Sequence, residues 1–240
     1  MPATPAAPSA GNERPARRAR PAWLLGTFNL GGLVLDTRAT IVVVSSTLLL
    51  VLGYYRENLP SIPRVGIEAS DLLASVLYYL LVPLFIVGVI FGEPISDYGF
   101  RVGDWRQGLK WSAIVILIAI PVVYGAAHTA EMTAYYTAGA RQSPPIIIAR
   151  AAVQLFGWEF LFRGFLLFGL LRVIGPSAVV IQAVPFALAH LSKPEIETLS
   201  TIFGGTLFGW IAWRSRSFLY AFLVHWFILS FVTLVAQGWI

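Results

Sequence analysis

The run from Phe156 to Phe168, FGWEFLFRGFLLF, sets Glu159 and Arg163 inside an otherwise apolar stretch, and this limits what the chain can fold into. A charged side chain at the centre of a bilayer costs about 2.5–3.5 kcal/mol even on the mildest insertion scale, so both groups must face the protein interior or a wet cavity. Spaced i to i+4, they lie on one face of a helix and can meet. A buried ion pair that only fixes helix packing is one reading of this pattern. The other is an intramembrane functional site.

The rest of the chain makes the membrane setting plain. Of its 240 residues 57% are hydrophobic and only 12% charged, and its mean hydropathy is +0.73, whereas soluble domains run near 25% charged. Lipid offers no partner to backbone N–H and C=O groups, so apolar segments of this length must be helices. The fold class is an all-α polytopic transmembrane bundle of about seven or eight spans. A chain of 26.3 kDa made mostly of spans leaves no room for a separate soluble catalytic domain, so any chemistry sits within the bundle. The absence of cysteine excludes disulfides and thiolate chemistry.

The net charge of +5 is not a nucleic-acid signal. Arg14, Arg17, Arg18 and Arg20 sit in a Pro/Ala-rich arm without interleaved aromatics, and most other positive residues flank apolar segments, as membrane orientation requires. The lipid bilayer is the expected partner, with a peptide or membrane-protein substrate and no nucleic acid.

Residues 1–22 read as a disordered basic tail, and residues 23–145 as N-terminal membrane helices with an interfacial segment. Spans are expected at about 39–55, 70–91 and 109–127, with Pro60 and Pro63 in the first connector and a surface segment at 92–108. His128 falls in a polar connector, 128–145, and reads as a solvated loop histidine. Residues 146–240 form the expected catalytic four-helix core, with helices at about 146–172, 177–191, 197–213 and 217–237. The breaks are Gly175-Pro176, Ser192-Lys193-Pro194 and the basic turn Arg214 to Arg216. Gly204, Gly205 and Gly209 include a GxxxG spacing that lets backbones approach closely. With seven spans, counting Lys and Arg on either side favours a cytoplasmic N-terminus, eleven against five. A bacterial inner-membrane location is expected.

His190 and His225 fall in this closing core. Short connections force antiparallel neighbours, which lets Glu159 and His190 approach, and Glu159 and His225 both sit near mid-depth. A buried glutamate has its pKa raised by desolvation and lowered by Arg163, which suits it to general-base work. One histidine can share the proton of an attacking water, and another can donate to an oxyanion. Hydrolysis of an acyl bond fits this set. Zinc held by two histidines and a glutamate is the rival, although no HExxH pairing exists. Glu195 and Glu197 are further carboxylates near the cavity mouth, or acids placed favourably at a helix start.

ExxxR at Glu159 to Arg163 continuing into Gly164, FxxxH at Phe186 to His190, and the final-helix His225 resemble the CAAX protease and bacteriocin-processing (CPBP) family of intramembrane glutamic endopeptidases. GDWRQG before a span and HLSKPEIET before a glycine-rich helix look like the same family, over about residues 95–237. The resemblance implies that Glu159 and His190 activate water, His225 stabilises the oxyanion and Arg163 positions the carboxylate, with no metal or other cofactor. Two positions depart from the family pattern. Trp158 stands where the family commonly has its first glutamate, and Leu229 stands where it usually has Asn or Asp. A catalytically silent relative acting as a membrane scaffold or immunity-type binding protein is therefore the alternative function. A proton-relay transporter has less support, since no paired internal repeat is present.

Overall fold

The computed structural model describes residues 26–55 and 69–240. The tail expected at 1–22 and the connector holding Pro60 and Pro63 lie outside the described residues. Thr27–Leu30 (β1) and Leu33–Asp36 (β2) pair as an antiparallel hairpin across Gly31 and Gly32, whose φ angles of +58° and +93° suit a two-residue turn with positive φ. This hairpin was not anticipated, although a Gly-Gly pair between two apolar tetrads is its signal. Asp36 ends it and caps α1 (Thr37–Tyr54), its carboxylate accepting the Ala39 N–H at 2.8 Å.

The second membrane helix, α2 (69–90), alternates α and π turns along its length. A short 3-10 turn, Ile95–Tyr98, leads to α3 (Trp105–Ala127), and the polar connector after it forms a short helix, α4 (Ala130–Thr137). The exposed His128 ring donates from Nδ1 to the Tyr124 carbonyl at 2.8 Å, as a loop histidine would. The long helix α5 (144–174) starts on Pro144 and Pro145 and passes through a π turn at Phe160–Leu166. Then come α6 (178–188), α7 (Glu195–Ser215) and α8 (Leu219–Ala236).

The molecule is polar at its centre and apolar outside. Val43, Val44, Leu48 and Val51 of α1 and Leu117, Ile118 and Val122 of α3 are exposed, while Glu159 and Arg163 are fully buried. Such a surface belongs in lipid. Among the described residues five stretches are long and apolar enough to cross a membrane: Thr37–Tyr54, Asp71–Ile90, Trp105–Ala127, Pro144–Leu188 and Leu219–Ala236. The span expected at 177–191 is instead two pieces, Ala178–Ile181 and Ala183–Leu188, broken at Gln182. Its 11 residues reach about 17 Å, short of a hydrocarbon core of about 30 Å. Helix α7 has the length, but its Gly, Ser and Thr residues dilute its hydropathy. The bundle is all-α in its membrane part, and a count of seven or eight spans is approximate.

Helix α8 packs on α3 and α5, and α7 packs on α6 and α3. The α6–α7 contact uses the GxxxG pair. A Cβ at Gly205 would run into Phe186 and Ala183, and one at Gly209 into Gln182, so the two helices approach at a separation only glycine permits.

One end of the bundle is closed by a charged network. Arg38 makes two parallel bonds to Glu93, at 2.6 and 2.7 Å, and donates to Tyr98 at 2.7 Å. Tyr98 donates to Glu93 at 2.8 Å, and Arg172 reaches Glu93 at 2.9 Å and Asp97 at 3.5 Å. This joins the start of α1, the connector after α2 and the end of α5. Burial raises the Glu93 pKa, but the bonds from Arg38 and Tyr98 and the charge of Arg172 outweigh it and hold the group at about 2. A carboxylate depressed in the folded state binds fewer protons there than when unfolded. Its stabilisation is therefore complete above the ordinary value of 4.5 and is lost as pH falls through about 2. Thermal unfolding in detergent across this range is expected to show falling stability for the wild type. Glu93→Gln should be less stable near neutrality and nearly flat across the same window.

Candidate active site

The site is built on the middle of α5. Glu159 lies 15 residues after Pro144, about 22 Å along the helix, and the α-to-π change falls at the next residue. Such widened turns occur often at functional sites. Arg163, one turn later, donates to Glu159 Oε1 at 2.9 Å, and both side chains are fully buried. From α8, six residues into that helix, His225 Nδ1 meets the same Oε1 at 2.6 Å. An ionised Glu159 beside Arg163 can only accept, so Nδ1 carries the proton and Nε2 keeps its lone pair. Guanidinium and imidazole thus share one oxygen of the carboxylate.

Three aromatic rings and a backbone carbonyl hold the guanidinium. Arg163 lies over Phe186 at 3.9 Å, with Phe208 at 5.3 Å and Phe162 at 5.6 Å, a cation–π cradle that replaces part of its lost hydration. Its Nη2 donates to the Gly205 carbonyl at 3.3 Å. That carbonyl also accepts from Gln182 at 2.8 Å. The break in α6 at Gln182 therefore ties α5, α6 and α7 together. Gln182 was not singled out from sequence. A fully buried amide in an apolar helical run is its only signal, and that signal is weak.

His190 ends the α6 segment. Its Nδ1 lies 2.7 Å from the Phe186 carbonyl, which accepts, so Nδ1 holds the proton here too and Nε2 is a free acceptor. Thr198 fixes the His190 carbonyl at 2.6 Å. The two imidazoles face each other, ring centroids 6.4 Å apart. Glu159 is brought to His225 and Arg163, and among the described residues it makes no hydrogen bond with His190. Phe186, at 4.5 Å, and Trp158, edge to face at 6.0 Å, pack against the His190 ring. Leu229, one turn past His225, packs in an apolar cluster with Ala127, Met132 and Val232.

Glu197 is engaged elsewhere. It pairs with Lys193 at 2.8 Å and accepts from Tyr136 at 2.8 Å. Glu195 is exposed, and its N–H donates to Glu131 at 3.1 Å. Both acids belong to the start of α7 and not to the site. Among the described residues no group of three or more His, Cys, Asp and Glu side chains converges closely enough to hold a metal ion.

Four buried polar atoms in this region have no hydrogen-bond partner among the described residues: Glu159 Oε2, Trp158 Nε1, Arg163 Nε and Gln182 Oε1. Leaving such an atom unsatisfied costs about 1–3 kcal/mol. A cluster of them around a carboxylate is the property of a place that binds polar matter, water or a peptide backbone, and not of a sealed packing core.

No curated protein and no solved structure matches the chain. Residues 139–231 match the family of type II CAAX prenyl endopeptidase Rce1-like proteins. This segment contains Glu159, Arg163, His190 and His225, with the helices α5 to α7 and most of α8 that carry them. Three of those helices meet at the Gly205 carbonyl and the fourth brings His225 to Glu159, so the segment that is similar to the Rce1-like family of type II CAAX prenyl endopeptidases is also the segment that builds the constellation.

Proposed function

We propose that the protein is an intramembrane endopeptidase that hydrolyses a peptide bond with water activated by the Glu159–His225 pair, assisted by His190. The observation that carries this is the 2.6 Å contact of His225 Nδ1 with a fully buried carboxylate. That contact leaves Nε2 as a base, and a positive imidazolium formed there is stabilised by Glu159. A water takes its place between the Nε2 atoms of His225 and His190, loses a proton to His225, and adds as hydroxide to the substrate carbonyl carbon. The tetrahedral intermediate collapses with rupture of the C–N bond. His225 returns the proton to the departing amine, and a carboxylic acid and an amine leave. Arg163 bonds Glu159 Oε1 and holds the carboxylate at His225. No step needs a metal, and the residues that set the base's strength all come from α5 and α8.

A second reading rests on Trp158. Its ring packs on His190 where the family commonly has a glutamate, and this supports a catalytically silent relative that binds a membrane peptide without cutting it. The two readings separate in one assay. Purified protein in detergent is given membrane-tethered peptides, including prenylated CAAX-ended ones, with and without a strong chelator. Chelator-insensitive cleavage by the wild type supports the endopeptidase. If the wild type cleaves nothing while Trp158→Glu does, the silent reading is correct and Trp158 is the cause.

A further inference from the structure

At the end of the bundle that carries the Arg38 network lies a second concave site that hydrolysis does not use. It is a cavity of about 550 Å³ lined by Arg101, Gly103, Asp104, Gln107, Arg214 and Arg216. The geometry points to a binding site for a phosphate-bearing anion at the membrane surface, either the headgroup of an anionic phospholipid or a free phosphate. The claim does not depend on the peptidase assignment.

Positive residues near a helix end satisfy membrane orientation without forming a site, so convergence has to be shown. The loop that carries Arg101 and the end of α7 that carries Arg214 and Arg216 are locked to each other through the backbone carbonyls of Ser215 and Arg216. Asp104 N–H donates to the Ser215 carbonyl at 2.7 Å, and Arg101 Nε donates to the Arg216 carbonyl at 3.0 Å. Gly103, at φ +60°, has no room for a Cβ, which would strike the Ser215 carbonyl. Arg216 itself takes the left-handed conformation, φ 58°, a cost of about 1 kcal/mol or more for a residue with a Cβ. The turn after α7 is thus fixed beside Arg101, and Arg214, in the last turn of α7, and Arg216 line the same cavity as Arg101.

The charge is also uncompensated. Arg101, Arg214 and Arg216 are exposed, and among the described residues none of them forms an ion pair. The single carboxylate on the wall, Asp104, caps α3 by accepting the Gln107 N–H at 3.1 Å. Three guanidinium groups with forked N–H donors suit a phosphate, which offers several acceptor oxygens to planar donors. Exposed Trp105, with Arg106 5.5 Å over its ring, borders the cavity as an aromatic anchor at headgroup level.

The test uses full-length protein purified in a mild detergent. Retention of phosphatidylglycerol against phosphatidylcholine is read by native mass spectrometry, and stabilisation by inorganic phosphate is read as a shift in melting temperature. Arg101→Gln and Arg214→Gln are each expected to weaken the response roughly fivefold. Arg214 has no hydrogen bond to the locked loop among the described residues, so its variant separates charge loss from misfolding. Lys110→Gln removes a neighbouring charge that lies over the Trp111 ring and does not line the cavity, and it should leave the response unchanged. An arginine-dependent preference for phosphatidylglycerol without a phosphate effect assigns the lipid. An arginine-dependent phosphate effect without lipid preference assigns the soluble anion. Equal losses in Lys110→Gln and Arg214→Gln, or no arginine-dependent response to either ligand, overturn the site.

Discussion

Glu159→Gln is expected to lower peptide hydrolysis by roughly 10²–10⁴-fold, the range that a positioned acid–base group contributes. The amide keeps the size of the carboxylate but not its charge or its exclusive role as acceptor. With its oxygen at the Oε1 position it still accepts from both Arg163 and His225, but the neutral amide no longer stabilises the imidazolium that forms when Nε2 takes a proton from water. Replacing the carboxylate of a carboxylate–histidine pair by an amide costs activity near the upper end of this range. The substitution should be tolerated structurally, because the amide oxygen still accepts from Arg163 while Phe186 and the Gly205 carbonyl continue to hold the guanidinium. Initial rates normalised to folded protein check this, with melting temperature as the control. Full activity in the variant would remove Glu159 from the mechanism.

How much of this was readable from the chain depends on the scale of the interaction. Glu159 and Arg163 were legible as a pair because an i, i+4 spacing on a helix fixes their contact locally, and the 2.9 Å bond is there. The Gly205–Gly209 contact followed for the same reason. The partner of Glu159 was not fixed by spacing. Depth counting set Glu159 and His225 together near mid-depth, and antiparallel order let His190 approach as well. Neither carries the azimuth around the bundle that decides which histidine reaches the carboxylate, and the bond is to His225. Trp158 has a local cause as well: it precedes Glu159, so its side chain is turned about 100° around the helix, and it meets His190 while Glu159 meets His225. The extra span expected at 177–191 came from an apolar run whose break at Gln182 is tertiary. An amide that bonds Gly205 on another helix ends a segment that hydropathy alone continues. The network of Glu93, Tyr98, Arg38 and Arg172 was missed because Arg38 and Arg172 stand 55 and 79 residues from Glu93 along the chain.

Arg163→Met is the substitution expected to damage the fold most. It leaves the Glu159 carboxylate fully buried without its counter-ion, and breaking a buried pair by removing one partner costs about 3–5 kcal/mol, a large share of the 5–15 kcal/mol that holds a domain together. Arg163→Lys keeps the charge but not the fork, so it cannot reach Glu159 Oε1 and the Gly205 carbonyl together, and its stability should fall between wild type and Arg163→Met. The informative comparison is the double variant Glu159→Gln/Arg163→Met. If the damage comes from an uncompensated charge, the double variant is more stable than Arg163→Met alone, since no ionised group then remains in the cradle. If it comes from lost packing over Phe186, at 3.9 Å, the second substitution restores nothing. Unfolding midpoints of the four proteins in one detergent give the coupling directly. A strong rescue would also mean that the charge pair is kept for chemistry, because a neutral pair of similar volume can then hold the bundle, and the rescued double variant should fold without hydrolysing peptide.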